Sequence, residues 1–86
     1  MMSEADKRER ARRKLVGEYE RRRLALGVSK RGLAREARLE PSYYGHWVNG
    51  DFQFPTQPML AALDDALENL EMIQNPRQQR AERILS

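Results

Sequence analysis

Apolar residues recur at intervals of three and four along most of the chain, which is the spacing of helices that bury one side. A first core helix is predicted from about Arg12 to Leu26, with Gly27 well placed as its C-terminal cap. A second helix is predicted after Ser29, a good N-cap residue, and should end before Pro41, whose ring disfavours helical geometry in the preceding residue. The pattern therefore predicts an all-α fold.

A third helix is predicted from Pro41 to about Asn49, with Gly50 ending it. Its two sides differ: Tyr43, Tyr44, Trp47 and Val48 share an apolar side, whereas Ser42, Gly45, His46 and Asn49 share a small, polar side.

A fourth helix is predicted after Thr56, a candidate N-cap residue, and it carries the broadest apolar stripe of the chain. An acidic face, with Asp64, Asp65, Glu68 and Glu71, is predicted opposite that stripe. A short fifth helix is expected in residues 75–86, where it could serve as a dimerisation segment.

With 86 residues the chain has room for one small core. It contains no cysteine and one histidine, which excludes disulfides and thiolate metal sites and leaves no credible zinc cluster. No catalytic carboxylate pair, nucleophile–base pair or glycine-rich phosphate loop is evident, so we expect no enzyme, no metal and no cofactor. The absence of a membrane-spanning run and of a secretory signal favours a cytoplasmic protein.

Charge is unevenly distributed along the chain. Residues 1–38 hold 13 Lys/Arg and 6 Asp/Glu, a net of +7, whereas residues 39–86 hold 3 and 7, a net of −4. The first part would attract a polyanion. Residues 1–11 are predicted to be a basic arm or a helical extension, and both alternatives stay open at this stage. Arg12 and Arg13 close this basic segment.

The segment LAREARLEPSYYGHWVNG, residues 33–50, contains two short helices joined by a tight turn. Together with VSKRG before it and FPT after it, this segment resembles the helix-turn-helix of the Cro/CI-type (XRE) family of phage repressors and their bacterial relatives. The resemblance covers about residues 12–74. The matching core positions of the motif are Leu33, Ala34, Ala37, Leu39, Tyr44 and Trp47.

The resemblance implies a compact, lambda repressor-like bundle of about five helices. Such a protein binds a double-stranded DNA operator, usually as a homodimer, and regulates transcription, most often as a repressor. Carried over by position, the base-reading residues would be Pro41, Ser42, Tyr43 and His46. The residues that hold phosphate would be Ser29, Lys30, Arg31, Asn49, Arg12 and Arg13. In this family the basic start of the first helix can lie beside the DNA backbone, where its charge adds affinity without reading sequence.

Two positions depart from the family pattern. The turn position that is usually glycine is Arg38, which would be strained if the backbone there needs a positive φ. Arg23 matches a buried arginine of the first helix, but the position of its usual glutamate partner is Val48. We therefore expect Arg23 to reach solvent or to pair with another carboxylate, such as Glu20 or Glu36.

A second function belongs to a different class. The fourth and fifth helices could bind another protein, as in an antitoxin that holds a toxin and binds DNA for autoregulation. The acidic face at residues 64–71 would suit a basic partner on the fourth helix, although a solvated helix face has the same pattern.

Overall fold

The computed structural model describes residues 3–74, and these residues form four helices and no strand. The predicted all-α class is confirmed. The expected fifth helix at residues 75–86 lies outside the described residues. The helices are α1 (Glu4–Leu26), α2 (Lys30–Glu36), α3 (Tyr43–Asn49) and α4 (Gln57–Gln74).

Helix α1 begins at Glu4, well before the Arg12 start that its apolar pattern predicts. Ser3 caps it: the Ser3 hydroxyl accepts from the backbone N–H of Asp6 at 3.1 Å, and the Asp6 carboxylate accepts from the backbone N–H of Ser3 at 3.3 Å. Of the two alternatives for the basic N-terminal segment, the helical extension is the one observed. Helix formers without an apolar stripe can extend a helix that is packed further along.

Helices α1, α2 and α3 end in the same hydrogen-bonded turn, in which one residue just beyond the helix adopts a left-handed conformation. Glycine occupies that position after α1 and α3, with φ of 69° at Gly27 and 89° at Gly50. After α2 the position is Arg38, with φ of 60°. The N–H of Arg38 bonds to the carbonyl of Arg35 and that of Leu39 to the carbonyl of Ala34, both at 2.9 Å. The positive φ considered for Arg38 is therefore observed, and its strain is about 1–2 kcal/mol.

Helix α3 begins at Tyr43, so the predicted start at Pro41 is wrong. Glu40 explains the later start, because its carboxylate accepts the N–H of Ser42 at 3.0 Å and its carbonyl accepts the N–H of Tyr43 at 2.9 Å. These local bonds hold Pro41 and Ser42 in a turn and compete with a helical first turn.

The core lies where α2, α3 and α4 meet, and α1 packs against it. Trp47 is fully buried, and its ring makes edge-to-face contacts with Tyr19 at 5.6 Å and Tyr44 at 5.9 Å between centroids. Its indole N–H donates to the carbonyl of Gln53 at 2.9 Å, which fixes the loop before α4. The predicted burial of Trp47 is confirmed. The buried apolar residues are Leu33, Ala34, Tyr44, Trp47, Leu63, Ala66 and Leu67, with Ala37, Leu39 and Val48 partly buried against them.

Polar bonds tie α1 to the rest of the bundle. Arg23 donates to the Glu20 carboxylate and, at 2.7 Å, to the carbonyl of Val28. Glu20 therefore supplies the carboxylate that was expected at the position of Val48. The same Glu20 carboxylate accepts from the hydroxyl of the buried Tyr44 at 3.2 Å. The predicted satisfaction of Arg23 by a neighbouring carboxylate is confirmed, and the resulting network joins α1 to α3.

Part of the acidic face of α4 is used inside the fold. The guanidinium of Arg22 on α1 donates to Asp64 at 2.7 Å and to Glu71 at 2.8 and 3.2 Å. Asp65 and Glu68 are exposed. The face offered to an external partner is therefore smaller than the sequence pattern predicts.

Candidate nucleic-acid interface

Helix α3 separates a buried side from an exposed polar side. Tyr44 and Trp47 are fully buried, whereas His46 and Asn49 are exposed. Gly45 lies on the exposed side and adds no bulk beside His46. The sequence prediction of a two-sided helix is confirmed, and the polar side presents short hydrogen-bonding groups.

His46 is held by the residue that follows the helix cap. Its ring Nδ1 lies 2.6 Å from Oδ2 of Asp51, and the backbone N–H of Asp51 donates to the carbonyl of His46 at 2.9 Å. About half of each side chain remains exposed, 54% for His46 and 57% for Asp51. The imidazole is thus oriented and still reachable from solvent.

Ser42 is half-buried in the turn before α3 and has a carboxylate partner of its own. Its hydroxyl donates to Oε2 of Glu40, which also accepts the backbone N–H of Ser42. The hydroxyl bond is the main cause of the lowered pKa of Glu40, to which the nearby charge of Arg31 adds a smaller effect. Ser42 therefore meets an external group only with the lone pairs of its oxygen.

The other two predicted base-reading residues are less accessible. Tyr43 is half-buried, and its ring packs against that of Phe52 with 5.0 Å between centroids. Pro41 is half-buried in the turn and has no backbone N–H to offer. Of the four predicted base-reading residues, only His46 is exposed.

The predicted phosphate-binding residues of α2 lie together at its start. The Ser29 hydroxyl accepts from the backbone N–H of Gly32 at 2.9 Å, so it acts as the predicted N-cap. Lys30 is half-buried and Arg31 is exposed. Asn49, at the far end of α3, is exposed as well.

Arg12 is buried and bonded within the fold, so its side chain has little to offer for the phosphate binding that the sequence predicts. It is 8% exposed, and its Nη1 donates to the carbonyl of Trp47 at 3.0 Å. Its Nε and Nη2 donate to the two carboxylate oxygens of Glu9 at 3.0 and 2.7 Å. The guanidinium is therefore a clamp on the C-terminal end of α3. A sequence pattern cannot separate it from the neighbouring arginines, because its carbonyl partner is 35 positions away.

Glu9 is the centre of this cluster. Hydrogen bonds from Arg12 and, to a smaller extent, from Arg13 lower the pKa of Glu9 to about 2. Arg13 donates to Glu9 at 3.1 Å but has a side chain that is 76% exposed. Arg13 therefore keeps free donors for an external anion, unlike Arg12.

Three carboxylates near this surface were missed by the sequence prediction: Glu9, Glu40 and Asp51. Each lies close in sequence to the residue that it holds, at spacings of three, two and five residues. The spacing of Glu9 and Arg12 is a helical i, i+3 pair, which is a signal that sequence reasoning can use. Asp51 gives a weaker signal, because its approach to His46 requires the left-handed turn at Gly50.

Within residues 3–74, no three histidine, aspartate or glutamate side chains cluster as metal ligands would, and no helix is both long and apolar enough to cross a bilayer. No family model matches the chain, and no curated protein or solved structure is significantly similar to it. The assignment of a function therefore rests on the residues and their geometry.

Proposed function

We propose that this protein is a binding protein rather than an enzyme, and that it binds double-stranded DNA in a sequence-specific manner through a helix-turn-helix formed by α2, the turn at 37–42 and α3. The observation that carries the proposal is the division of α3 into a fully buried side, with Tyr44 and Trp47, and an exposed polar side with His46. A short helix that packs on the core with one side and carries small polar side chains on the other can fit into the major groove of DNA.

The turn between the helices supports the proposal. Arg38 adopts a φ of 60° at the position where Cro/CI-type proteins usually have glycine, and Leu39 then turns inwards to pack on the core. The resemblance in sequence is thus matched by the backbone conformation that the family's glycine would favour.

Basic side chains on α1 and α2, together with Asn49 on α3, are proposed to hold the DNA backbone. Arg31, Lys30 and Asn49 lie at the ends of α2 and α3, and Arg13 keeps most of its side chain exposed. Arg8 lies one turn before Arg12, about 40° away around α1, and so continues the face that meets the end of α3. Such contacts add affinity without sequence information.

The biological role proposed is that of a Cro/CI-type transcriptional regulator, most simply a repressor, acting in the cytoplasm on the nucleoid as a homodimer. Dimers of this class bind two half-sites about 34–36 Å apart on one face of DNA. One seven-residue helix contacts only a few base pairs, and a dimer doubles that number.

Selection of bound sequences from a random DNA pool tests the proposal. The wild type should enrich a palindromic motif, and Ser42→Ala and His46→Ala should each relax the preference at one position per half-site while the melting temperature is kept. An enriched pool without a motif, or a motif unchanged in both variants, would contradict reading by α3.

A matched pair of charge deletions tests the backbone contacts. Arg8 and Arg21 are both exposed on α1, but they lie on opposite sides of it, since Arg21 is about 180° from Arg12 around the helix. Arg8→Ala should weaken binding to specific and random DNA alike and flatten the slope of log affinity against log salt by roughly 0.9. Arg21→Ala should leave that slope unchanged. Equal effects would refute this orientation of α1.

A second candidate function, binding of another protein by α4, is favoured by one observation. Leu24, Met72 and Ile73 are large apolar residues that are 65%, 48% and 71% exposed. Gln74 bonds to the carbonyl of Leu26 at 2.8 Å, so the C-terminal ends of α1 and α4 lie together. An interaction module would keep its partner after His46→Ala, whereas a DNA reader would lose its base preference at one position per half-site.

A further inference from the structure

The most constrained polar group on the exposed side of α3 is the imidazole of His46. Two bonds link His46 and Asp51: Nδ1 to Oδ2 at 2.6 Å, and the N–H of Asp51 to the carbonyl of His46 at 2.9 Å. The second bond belongs to the turn at Gly50, where φ is 89°. The backbone thus places the carboxylate against one particular nitrogen of the ring.

That contact decides which ring nitrogen carries the proton. An ionised carboxylate only accepts hydrogen bonds, so Nδ1 must be the donor. A neutral imidazole has one N–H, and Nε2 is therefore left with a lone pair. Because the His46 side chain is 54% exposed, an external donor can reach the ring.

Ser42 is biased in the same sense by a different carboxylate. Its hydroxyl donates a hydrogen bond to Glu40, so its oxygen can only accept a hydrogen bond from any further group. Ser42, just before α3, and His46, in the middle of α3, are thus both left as hydrogen-bond acceptors. In each case a neighbouring acidic residue causes this.

The major groove contains few donors that match two acceptors. Adenine presents its N6 amino group and cytosine its N4 amino group, whereas guanine presents N7 and O6 and thymine presents O4, all of which are acceptors. A histidine with a free Nε2–H would favour guanine, and the histidine described here would not.

We propose that Asp51 is a specificity-determining positioning residue: by holding Nδ1–H of His46, and with Glu40 doing the same for the Ser42 hydroxyl, it makes α3 select the amino groups of adenine or cytosine. This inference rests on the proposed DNA-binding function and deepens it. Asp51 acts through His46 and does not itself touch the base.

The tautomer is measurable in the free protein, independently of DNA. His46 is the chain's one histidine, so its ring ¹⁵N signals are unambiguous. At pH 8 the wild type should show the Nδ1–H form, and Asp51→Ala should shift the ring towards the Nε2–H form that predominates for a free imidazole. Asp65→Ala, which removes an exposed acid from α4, is the control and should change nothing. A wild-type ring in the Nε2–H form would overturn the inference.

The selected DNA motif supplies the second test, also at pH 8. The position read by His46 is the one whose preference disappears in His46→Ala. There the wild type should require adenine or cytosine, and replacing that base with an analogue lacking the amino group should weaken binding roughly tenfold. In Asp51→Ala the same analogue should cost less than about twofold.

The outcomes separate this inference from the proposed function. A wild-type motif with guanine or thymine at that position would overturn the role of Asp51 and leave DNA reading by α3 standing. An analogue effect that persists in Asp51→Ala, with an unchanged melting temperature, would do the same. Absence of any motif would overturn base reading as a whole.

Discussion

The substitution Arg12→Ala tests whether a buried guanidinium holds the C-terminal end of α3. The Arg12 side chain is 10% exposed and donates three hydrogen bonds, one to the carbonyl of Trp47 at 3.0 Å and two to Glu9 at 3.0 and 2.7 Å. Its guanidinium also lies 3.5 Å from where a Cβ on Gly50 would be, so it fills the space beside the turn. Truncation would remove the bond across the bundle and the packing of the side-chain stem.

The size of the effect follows from the bond to the Trp47 carbonyl. A hydrogen bond from a charged donor contributes about 1.5–3 kcal/mol. The carbonyl retains the N–H of Gly50 at 3.1 Å and is not left without a partner, which places the loss towards the lower end of that range. We therefore expect Arg12→Ala to lower the free energy of unfolding by about 2 kcal/mol.

Arg13→Ala is the matched control, because Arg13 is the adjacent residue and donates to the same Glu9. Its side chain is 76% exposed and reaches no other helix in a described bond, so its loss should cost less than about 0.5 kcal/mol. Urea unfolding followed by the fluorescence of Trp47 measures both variants. Equal destabilisation by the two substitutions would refute the assignment of Arg12 as a clamp on α3.

Three further predictions concern acid stability, backbone strain and assembly. Because bonds from Arg12 hold the pKa of Glu9 at about 2, against an ordinary 4.5, ionised Glu9 should stabilise the fold above pH 4.5 and lose this effect as the pH falls towards 2. The difference in free energy of unfolding between wild type and Glu9→Gln should shrink over that window, and a difference independent of pH would contradict it. Arg38→Gly should raise the free energy of unfolding by about 1 kcal/mol in urea titrations by relieving the positive φ, and destabilisation would show that this strain is absent. Ile73 is a large apolar residue that is 71% exposed near the end of α4, and we take this surface as the interface of the proposed homodimer. Ile73→Asp should therefore convert the homodimer to a monomer in light scattering while the exposed control Ala61→Asp does not, and a monomeric wild type would refute the proposed assembly.

The buried half of the motif was predictable from the sequence, because its signal is local and periodic. Leu33, Ala34, Tyr44 and Trp47 recur with helical spacing on one side of α2 and α3, and all four are fully buried. Side-chain size and spacing carry this information without knowledge of any long-range contact. The same reasoning placed the glycine caps at Gly27 and Gly50.

The polar half was predictable only where its partners are near in sequence. Glu20 lies three residues from Arg23 and could be named in advance as its partner. The Trp47 carbonyl could not be assigned to Arg12 from the pattern, since any backbone carbonyl is an equally good acceptor. The start of α1 at Glu4 could not be predicted from hydrophobic periodicity either, because the segment before Arg12 has no apolar stripe that would mark a buried face.

The acidic residues around α3 show why charge alone is a poor guide to this surface. Glu40 and Asp51 would count against DNA binding in a tally of charges, yet the Glu40 carboxylate accepts a hydrogen bond from the Ser42 hydroxyl and the Asp51 carboxylate lies 2.6 Å from Nδ1 of His46. An acid placed next to a phosphate would repel it, whereas an acid that accepts a hydrogen bond from a neighbouring hydroxyl or imidazole N–H fixes which atoms that group offers to a base. Under the proposed DNA-binding function, affinity and selectivity come from different residues. The exposed Arg13 and Arg31 are assigned to attraction, and the buried clamp at Arg12 with the turn at Gly50 is assigned to holding the short helix in place.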